Sequence, residues 1–466
     1  MPMKKLLLST LLLTSNVLIT KANLITVPTD YSTIQQAIDA SLDGDTVAVL
    51  QGTYYENINL HGKRILLTSL FYLGKDTSYI SSTIINGSQP TQPDTGTCVL
   101  MNSGEDSTTI LQGFTITGGT GTKWLDEHGA GTYREGGGIL IQYSSPIIRH
   151  NAIIYNYATN TTGVSGAGGG GLRIGDSNPQ LLNNIIANNQ ARYGPGIVLN
   201  YTGCIIKNNL ICFNSGGQTF NGGGAVWASG DPLTPTDKLF ENNTIYANHA
   251  TIGTGGILSW GTAVIVRNNI IRNNTSPNNS QVYAIGGGTA SVTYSDIQGG
   301  YAGSGNIDTD PLFTDTASFY LVPLSPCIDA GDSSVIYNDI ENTSLPGFAL
   351  LPSLGTIRND IGAYGGQGAF VFGQGQPTGI IVLSTQHSNG IIISPNPAGE
   401  TFQVSCSGIK LQRIELMNAT GEKVLEKNNS KNEGSIIVNA ERLKRGIYIV
   451  KIFSSEEVLT KKMVLK

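Results

Sequence analysis

Charge and aromatic rings are scarce in this 466-residue chain, at 13% and 7% of the residues. No block of Lys or Arg occurs outside the C-terminal tail, and the formal net charge is −5, so the electrostatic footprint for a phosphate backbone is missing and no nucleic-acid partner is expected. The Ala, Glu, Lys and Leu bias of helical proteins is also lacking, which speaks against a mostly helical fold. Cysteine is sparse: Cys98, Cys204, Cys212, Cys327 and Cys406 show no CxxC spacing, which excludes a zinc or redox motif of that kind. Their odd number leaves one unpaired, and Cys204 and Cys212 fall on alternating apolar strands as core residues. Beyond the N-terminus no apolar run approaches the ~20 residues of a membrane helix, so no transmembrane segment is expected in the mature chain.

What is abundant is glycine, 59 residues, together with Asn, Thr, Ser and Ile, a mixture suited to short strands joined by tight turns. Residues 1–22 read as a signal peptide: Lys4 and Lys5 are the basic end, residues 6–19 the apolar stretch, and Lys21-Ala22 the cleavage point.

A repeat fixes the fold class. The pattern Asn-x-Ile-x-x-Asn begins at Asn151, Asn184, Asn209, Asn243 and Asn269, with weaker copies around Ile116 and Ile297. The central isoleucines 116, 153, 186, 211, 245, 271 and 297 are separated by 37, 33, 25, 34, 26 and 26 residues, a base period of 25–26 with loops added. Once per period comes a glycine-led strand, at residues 136–141, 168–174, 194–199, 222–227 and 255–258. Short strands bounded by Gly and Asn at strict turns give stacked coils with like residues about 4.8 Å apart. An all-β, right-handed parallel β-helix solenoid is the expected fold, with Ile in an interior column and Asn passing amide hydrogen bonds between coils. A β-propeller or sandwich is the weaker alternative.

A solenoid needs caps on its open ends. Ser32-Thr-Ile-Gln35 reads as a capping box, with Ile34, Ala37, Ile38 and Leu42 on one helical face and Gly44 ending the run, so an N-terminal capping helix is expected. The strings ITVPTDYSTIQQAID at 25–39, DGDTV at 43–47 and GTYYEN at 52–57 resemble the start of pectin-lyase-like and pectinesterase-like β-helix proteins, a resemblance that implies fold and capping across many activities.

DPLF at 310–313, LSPCIDAGD at 324–332 and DIGAY at 360–364 resemble the choice-of-anchor segment closing many surface β-helices, with Cys327 and Gly365 as departures. No cofactor is expected; Asp308, Asp310, Asp329 and Asp332 offer calcium ligands but lack the EF-hand order, and turn capping is their expected role. SPNPA at 394–398, NATGEKV at 418–424, LKRGIYIVK at 443–451 and KKMVLK at 461–466 are similar, in order, to the sorting domain of type IX secretion. That resemblance implies the secretion machinery as a partner, passage across the outer membrane and cleavage of the tail, leaving the protein extracellular or on the cell surface. The expected division is a signal peptide at 1–22, β-helix at 23–302, terminal coils at 303–366, a Gly- and Gln-rich linker at 367–388 and an antiparallel β-sandwich at 389–466.

Chemistry is hard to find on this scaffold. Lys207, Glu241 and Arg267 recur two residues before the repeat Asn and read as a self-neutralising surface ladder. Tyr143, Tyr201, Trp227 and Trp260 follow the glycine-led strands, where a shared edge would let sugar rings stack. The inserted residues 120–135 concentrate Trp124, Asp126, Glu127, His128, Arg134 and Glu135 beside a neutral scaffold. The leading expectation is a surface that engages polysaccharide. A lyase, which needs a base and a cation against the uronate, or a hydrolase, which needs two facing carboxylates, is the alternative, and a protein-binding adhesin is a third.

Overall fold

The computed structural model describes residues 22–231, 238–278 and 280–370, and in the C-terminal region 391–394, 398–406, 411–418, 423–429, 435–441, 443–454 and 458–465. The signal-peptide reading, apart from Ala22, and residues 371–388 of the expected linker lie outside the described residues. The chain divides into two units, Met1–Ile380 and Ile381–Lys466.

The first unit is a parallel β-helix, wound right-handed as parallel crossovers are. Three parallel sheets of ten, nine and eight strands run its length, and each coil places one strand in each. In the nine-stranded sheet Ile85, Ile116, Ile153, Ile186, Ile211, Ile245, Ile271 and Ile297 are successive register partners. All eight are at most 1% exposed, so one apolar file threads the core. Four cysteines, Cys98, Cys204, Cys212 and Cys327, are free and buried. Burial pushes the Cys98 and Cys204 thiols up to about 12, which keeps them protonated and inert.

Two asparagine ladders flank the isoleucine file. Asn151, Asn184, Asn209, Asn243 and Asn269 form one, and Asn156, Asn189, Asn214, Asn248 and Asn274 the other. Each side-chain oxygen accepts a backbone N–H from one coil below, that of the ladder Asn in all but the first rungs, as in Asn184 N to Asn209 Oδ1 at 2.8 Å. Except in the last rung of each ladder, the side-chain nitrogen donates to the Asn above and to a backbone carbonyl below, as Asn209 Nδ2 does to Asn243 Oδ1 at 3.0 Å and Leu181 O at 2.8 Å. The ladders satisfy backbone groups where the chain turns a corner and strand pairing cannot reach. The residue before each ladder Asn is left-handed, with φ of 51° to 57° at Asn183, Asn208, Asn242 and Asn268, a conformation Asn tolerates well.

The N-terminal mouth is covered by the helix Ile34–Ala40, which buries Ile34, Ala37 and Ile38. Its cap falls one residue later than the capping box suggests: Thr33 accepts from Gln36 N, and Glu56 accepts from Ile34 N and Gln35 N. Leu42 lies past the helix and is 57% exposed, so it does not join the apolar face. Helical periodicity cannot assign it, because the C-cap at Ser41 has already turned the chain out.

At the other end, residues 301–370 fold over the last coils. Cys327, Leu321 and Ile361 pack on Ile270, and residues 359–370 run back along one corner of the solenoid. There Asn268 O accepts from Gly362 N, Asn242 Nδ2 donates to Asp360 O, Asn208 Nδ2 donates to Gly365 O, and Phe370 meets His150 with centroids 4.4 Å apart. The four acids of this region make local contacts: Asp310 caps Leu312 N, Asp329 accepts from Thr356, Asp332 caps Ser334 N, and Asp308 pairs with Arg272. Among the described residues no group of three or more His, Cys, Asp or Glu is placed to hold a metal ion.

Asp339 and Asp360, the latter within this returning segment, are both buried. Burial raises both carboxyls, Asp339 to about 7 and Asp360 to about 8, with Asp329 raising both a little further and Asp339 also raising Asp360. The unfolded chain loses these protons near the ordinary value of 3.8 while the folded chain keeps them. The stability they contribute is therefore complete below pH 3.8, declines as pH rises, and is gone above about 8. Chemical denaturation across pH 6.5 to 9 is expected to show a falling midpoint for the main unit, and Asp339→Asn is expected to flatten the curve; a pH-independent midpoint would contradict the assignment.

The second unit is an antiparallel β-sandwich. A three-stranded sheet of Ile391–Ser394, Thr401–Cys406 and Ser435–Asn439 faces a four-stranded sheet of Lys423–Asn428, Leu411–Met417, Gly446–Ser454 and Val458–Leu465. Phe402, Val404 and Val438 from the first pack with Ile414, Leu416, Val450, Ile452 and Met463 from the second.

Candidate ligand-binding site

The glycine-led strands build the eight-stranded sheet, and their alternation decides what faces outward. Ile139, Ile141, Leu172, Ile174, Ile197 and Leu199 enter the core, so their neighbours Leu140, Arg173 and Val198 point away from it, and Trp227 and Leu258 continue that outward row by register. A polar row of Gln142, Asn200 and Ser229 runs beside it and ends at Trp260.

The inserted residues form a hairpin, Gly121–Leu125 with Thr132–Glu135, that pairs Trp124 with Tyr133 and Thr122 with Glu135. It covers part of the outward face and buries Arg173 completely. Arg173 Nε lies 3.2 Å from Glu135 Oε2, an ion pair whose angle falls short of a hydrogen bond. The Arg173 guanidinium also donates to Gln142 and stacks 3.8 Å from the Trp124 ring centroid. Gly175 makes this possible, since a side chain there would collide with that guanidinium. Trp124 Nε1 donates to Glu135 Oε2 at 2.9 Å, and the Tyr193 hydroxyl donates to Glu135 Oε1.

Next to this knot lies a cavity of about 290 Å³ with a largely aromatic wall. Trp227 is its centre: Tyr193 stands 5.2 Å away, Trp260 6.1 Å and Phe220 6.5 Å between centroids, all inclined rather than parallel. The Trp227 indole is fixed by donation from Nε1 to Phe220 O at 2.9 Å. Opposite them His128 stacks on Tyr201 at 3.7 Å, and its Nε2 lies 3.0 Å from Asp176 Oδ1. Asp126, Glu135, Asn200 and Ser229 add polar atoms to the wall.

Of the residues anticipated from sequence, Asp126, His128, Glu135, Tyr201, Trp227 and Trp260 are brought together at this cavity. Four others are not among its lining. Trp124 is spent on Arg173 and Glu135 beneath it. Arg134, one residue from Glu135 on the hairpin, faces the other way and binds Asp94, Pro93 O and Gly121 O. Glu127 stays exposed, its carboxyl pushed up by partial burial and then by Asp176 and Asp126. Tyr143 is 55% exposed at the left-handed corner that Tyr201 occupies two coils on. The four aromatics therefore share no single edge: Trp227 is second in its strand and Trp260 fourth. Sequence reasoning missed Tyr193, Phe220, Arg173 and Asp176; a charged residue inside an apolar glycine-led strand was the one signal for Arg173. The Lys207, Glu241 and Arg267 positions are register partners, with Lys207 Nζ 2.6 Å from Glu241 Oε1, as the ladder reading expects.

The tail has a family of its own. Residues 393–466 match the secretion system C-terminal sorting domain. The sandwich is thus a type IX sorting domain, and the protein is secreted or held at the cell surface. No helix among the described residues is long and apolar enough to cross a membrane. No curated protein matches the chain.

Proposed function

We propose that the protein is an exported β-helix that engages extracellular polysaccharide through the cavity beside the hairpin. The observation that carries this reading is the Trp227, Trp260 and Tyr201 wall set against Asp126, Asn200 and Ser229. Pyranose rings present apolar C–H faces to indoles and hydroxyl edges to carboxylate, amide and hydroxyl groups, which is the pairing these side chains offer. A position outside the cell, where such polymers are met, is consistent with it. The division into signal peptide 1–22, coils 23–302, closing segment 303–366, linker 367–388 and sorting domain 389–466 belongs to the same reading.

Binding is favoured over turnover because the two carboxyls on the cavity wall do not make a free pair: Glu135 is fully engaged and only Asp126 keeps an oxygen open. Glu135 is held by Arg173, Trp124 and Tyr193, and Asp126 Oδ1 accepts the N–H of His128 and Ala130. A hydrolase needs one carboxyl free to protonate and another free to attack or to activate water. On a glycan array the full chain is expected to retain at least one polysaccharide class without releasing product. Trp227→Ala and Trp260→Ala should each weaken that binding by about tenfold, the scale of a lost stacking face. Retention of no glycan, or unchanged affinity in both variants, would remove the reading.

A further inference from the structure

The charge on the cavity wall narrows the ligand, and this step rests on the glycan reading above. Asp126 and Glu135 line the cavity, and neither is more than 6% exposed. Both nearby guanidinium groups are engaged elsewhere: Arg173 with Glu135, Gln142 and Trp124, and Arg134 with Asp94 and two carbonyls on the far side of the hairpin. His128, the one basic side chain on the wall, turns its Nε2 to Asp176. Among the described lining residues a uronate carboxylate would meet the unpaired carboxylate of Asp126, a Glu135 already matched by Arg173, and no free cation, which is costly in a partly dry cavity.

Asp126 has unused capacity. Its Oδ1 caps the hairpin turn, but Oδ2 has a single partner, Asn200 Nδ2, at the 3.5 Å limit. A buried carboxylate oxygen left this open is an acceptor for a strong donor. The Trp227, Trp260 and Tyr201 rings on the same wall attract cations through their faces.

We infer that the cavity selects saccharides bearing a protonated primary amine, such as an unacetylated hexosamine unit, with the ammonium directed to Asp126 Oδ2 and the aromatic wall.

The test is calorimetric titration of the full chain, near pH 6, with three oligosaccharides of equal length: glucosamine, N-acetylglucosamine and galacturonate. The amine oligomer is expected to bind at least about tenfold more tightly than its acetylated twin, with the uronate weakest. Added salt should erode that preference, and Asp126→Asn, which keeps an oxygen for the turn, should cut it about tenfold. Equal or tighter binding of the acetylated or uronate oligomer overturns the charge assignment and leaves the glycan reading standing. Failure of all three, with some other glycan retained on the array, also overturns it, whereas an empty array removes the glycan reading itself.

Discussion

Replacing Asn209 by leucine is expected to destabilise the β-helix by about 3–5 kcal/mol, a large share of the stability of any single domain. Asn209 is fully buried and its amide is used on all sides. Its oxygen accepts from Asn184 N and Nδ2, and its nitrogen donates to Leu181 O, Lys207 O and Asn243 Oδ1. Leucine keeps the branched shape and the number of side-chain heavy atoms but is bulkier, and it leaves Asn184 N and Leu181 O without these partners in a place water does not reach. Each orphaned buried group costs about 1–3 kcal/mol, and the coils above and below share the damage because the ladder is continuous. Urea unfolding followed by far-UV circular dichroism checks this, with Asn178→Leu on the exposed surface as the control. A midpoint for the Asn209 variant within error of that control would show that the ladders decorate the fold rather than hold its corners.

Glu135→Gln is the second large effect, expected at about 3–5 kcal/mol although it changes only one heavy atom. The carboxylate is the counter-charge of a guanidinium with zero exposure, and Arg173 Nη2 already has no hydrogen-bond partner. Neutralising Glu135 leaves Arg173 charged and unpaired in the interior. The hairpin should then lift, because Glu135 is the hairpin side chain that pairs with Arg173 of the sheet and accepts from Tyr193 of the next coil, while also bracing Trp124 of the same hairpin. Thermal unfolding measures the cost, and limited proteolysis within residues 120–135 reports the lifting. Adding Arg173→Met to Glu135→Gln should recover most of the loss, since a buried ion pair is replaceable by apolar packing more readily than it is broken. If the double variant is no more stable than the single one, the pairing is not what fixes the hairpin.

These two knots were not equally legible in the sequence. The Asn209 ladder was legible because its period is one coil: a residue that must meet its own kind above and below has to recur at 25–26, and insertions only lengthen the gap. The isoleucine file followed for the same reason. The cap at Thr33 was misplaced by one residue because Ser32 and Thr33 are both good caps, and the choice is made by Glu56, 22 residues downstream of Ile34. The cavity was only half legible. Asp126, His128 and Trp260 stood out by composition, but Tyr193 and Phe220 come from turns without periodicity and reach Trp227 only after the strands are stacked. Arg134 and Glu135 looked alike in sequence; alternation along the hairpin sends one to Asp94 and the other to Arg173, and that depends on a register no single-chain pattern fixes.

Hydrogen–deuterium exchange of the full chain, with and without the amine-bearing oligosaccharide, asks most directly whether the cavity beside the hairpin is where this exported β-helix meets its ligand. Added protection is expected to concentrate in residues 121–135, 193–201, 226–230 and 257–261, with the asparagine-ladder corners unchanged. Protection confined to other faces of the coil, or to the C-terminal sandwich, would contradict the account.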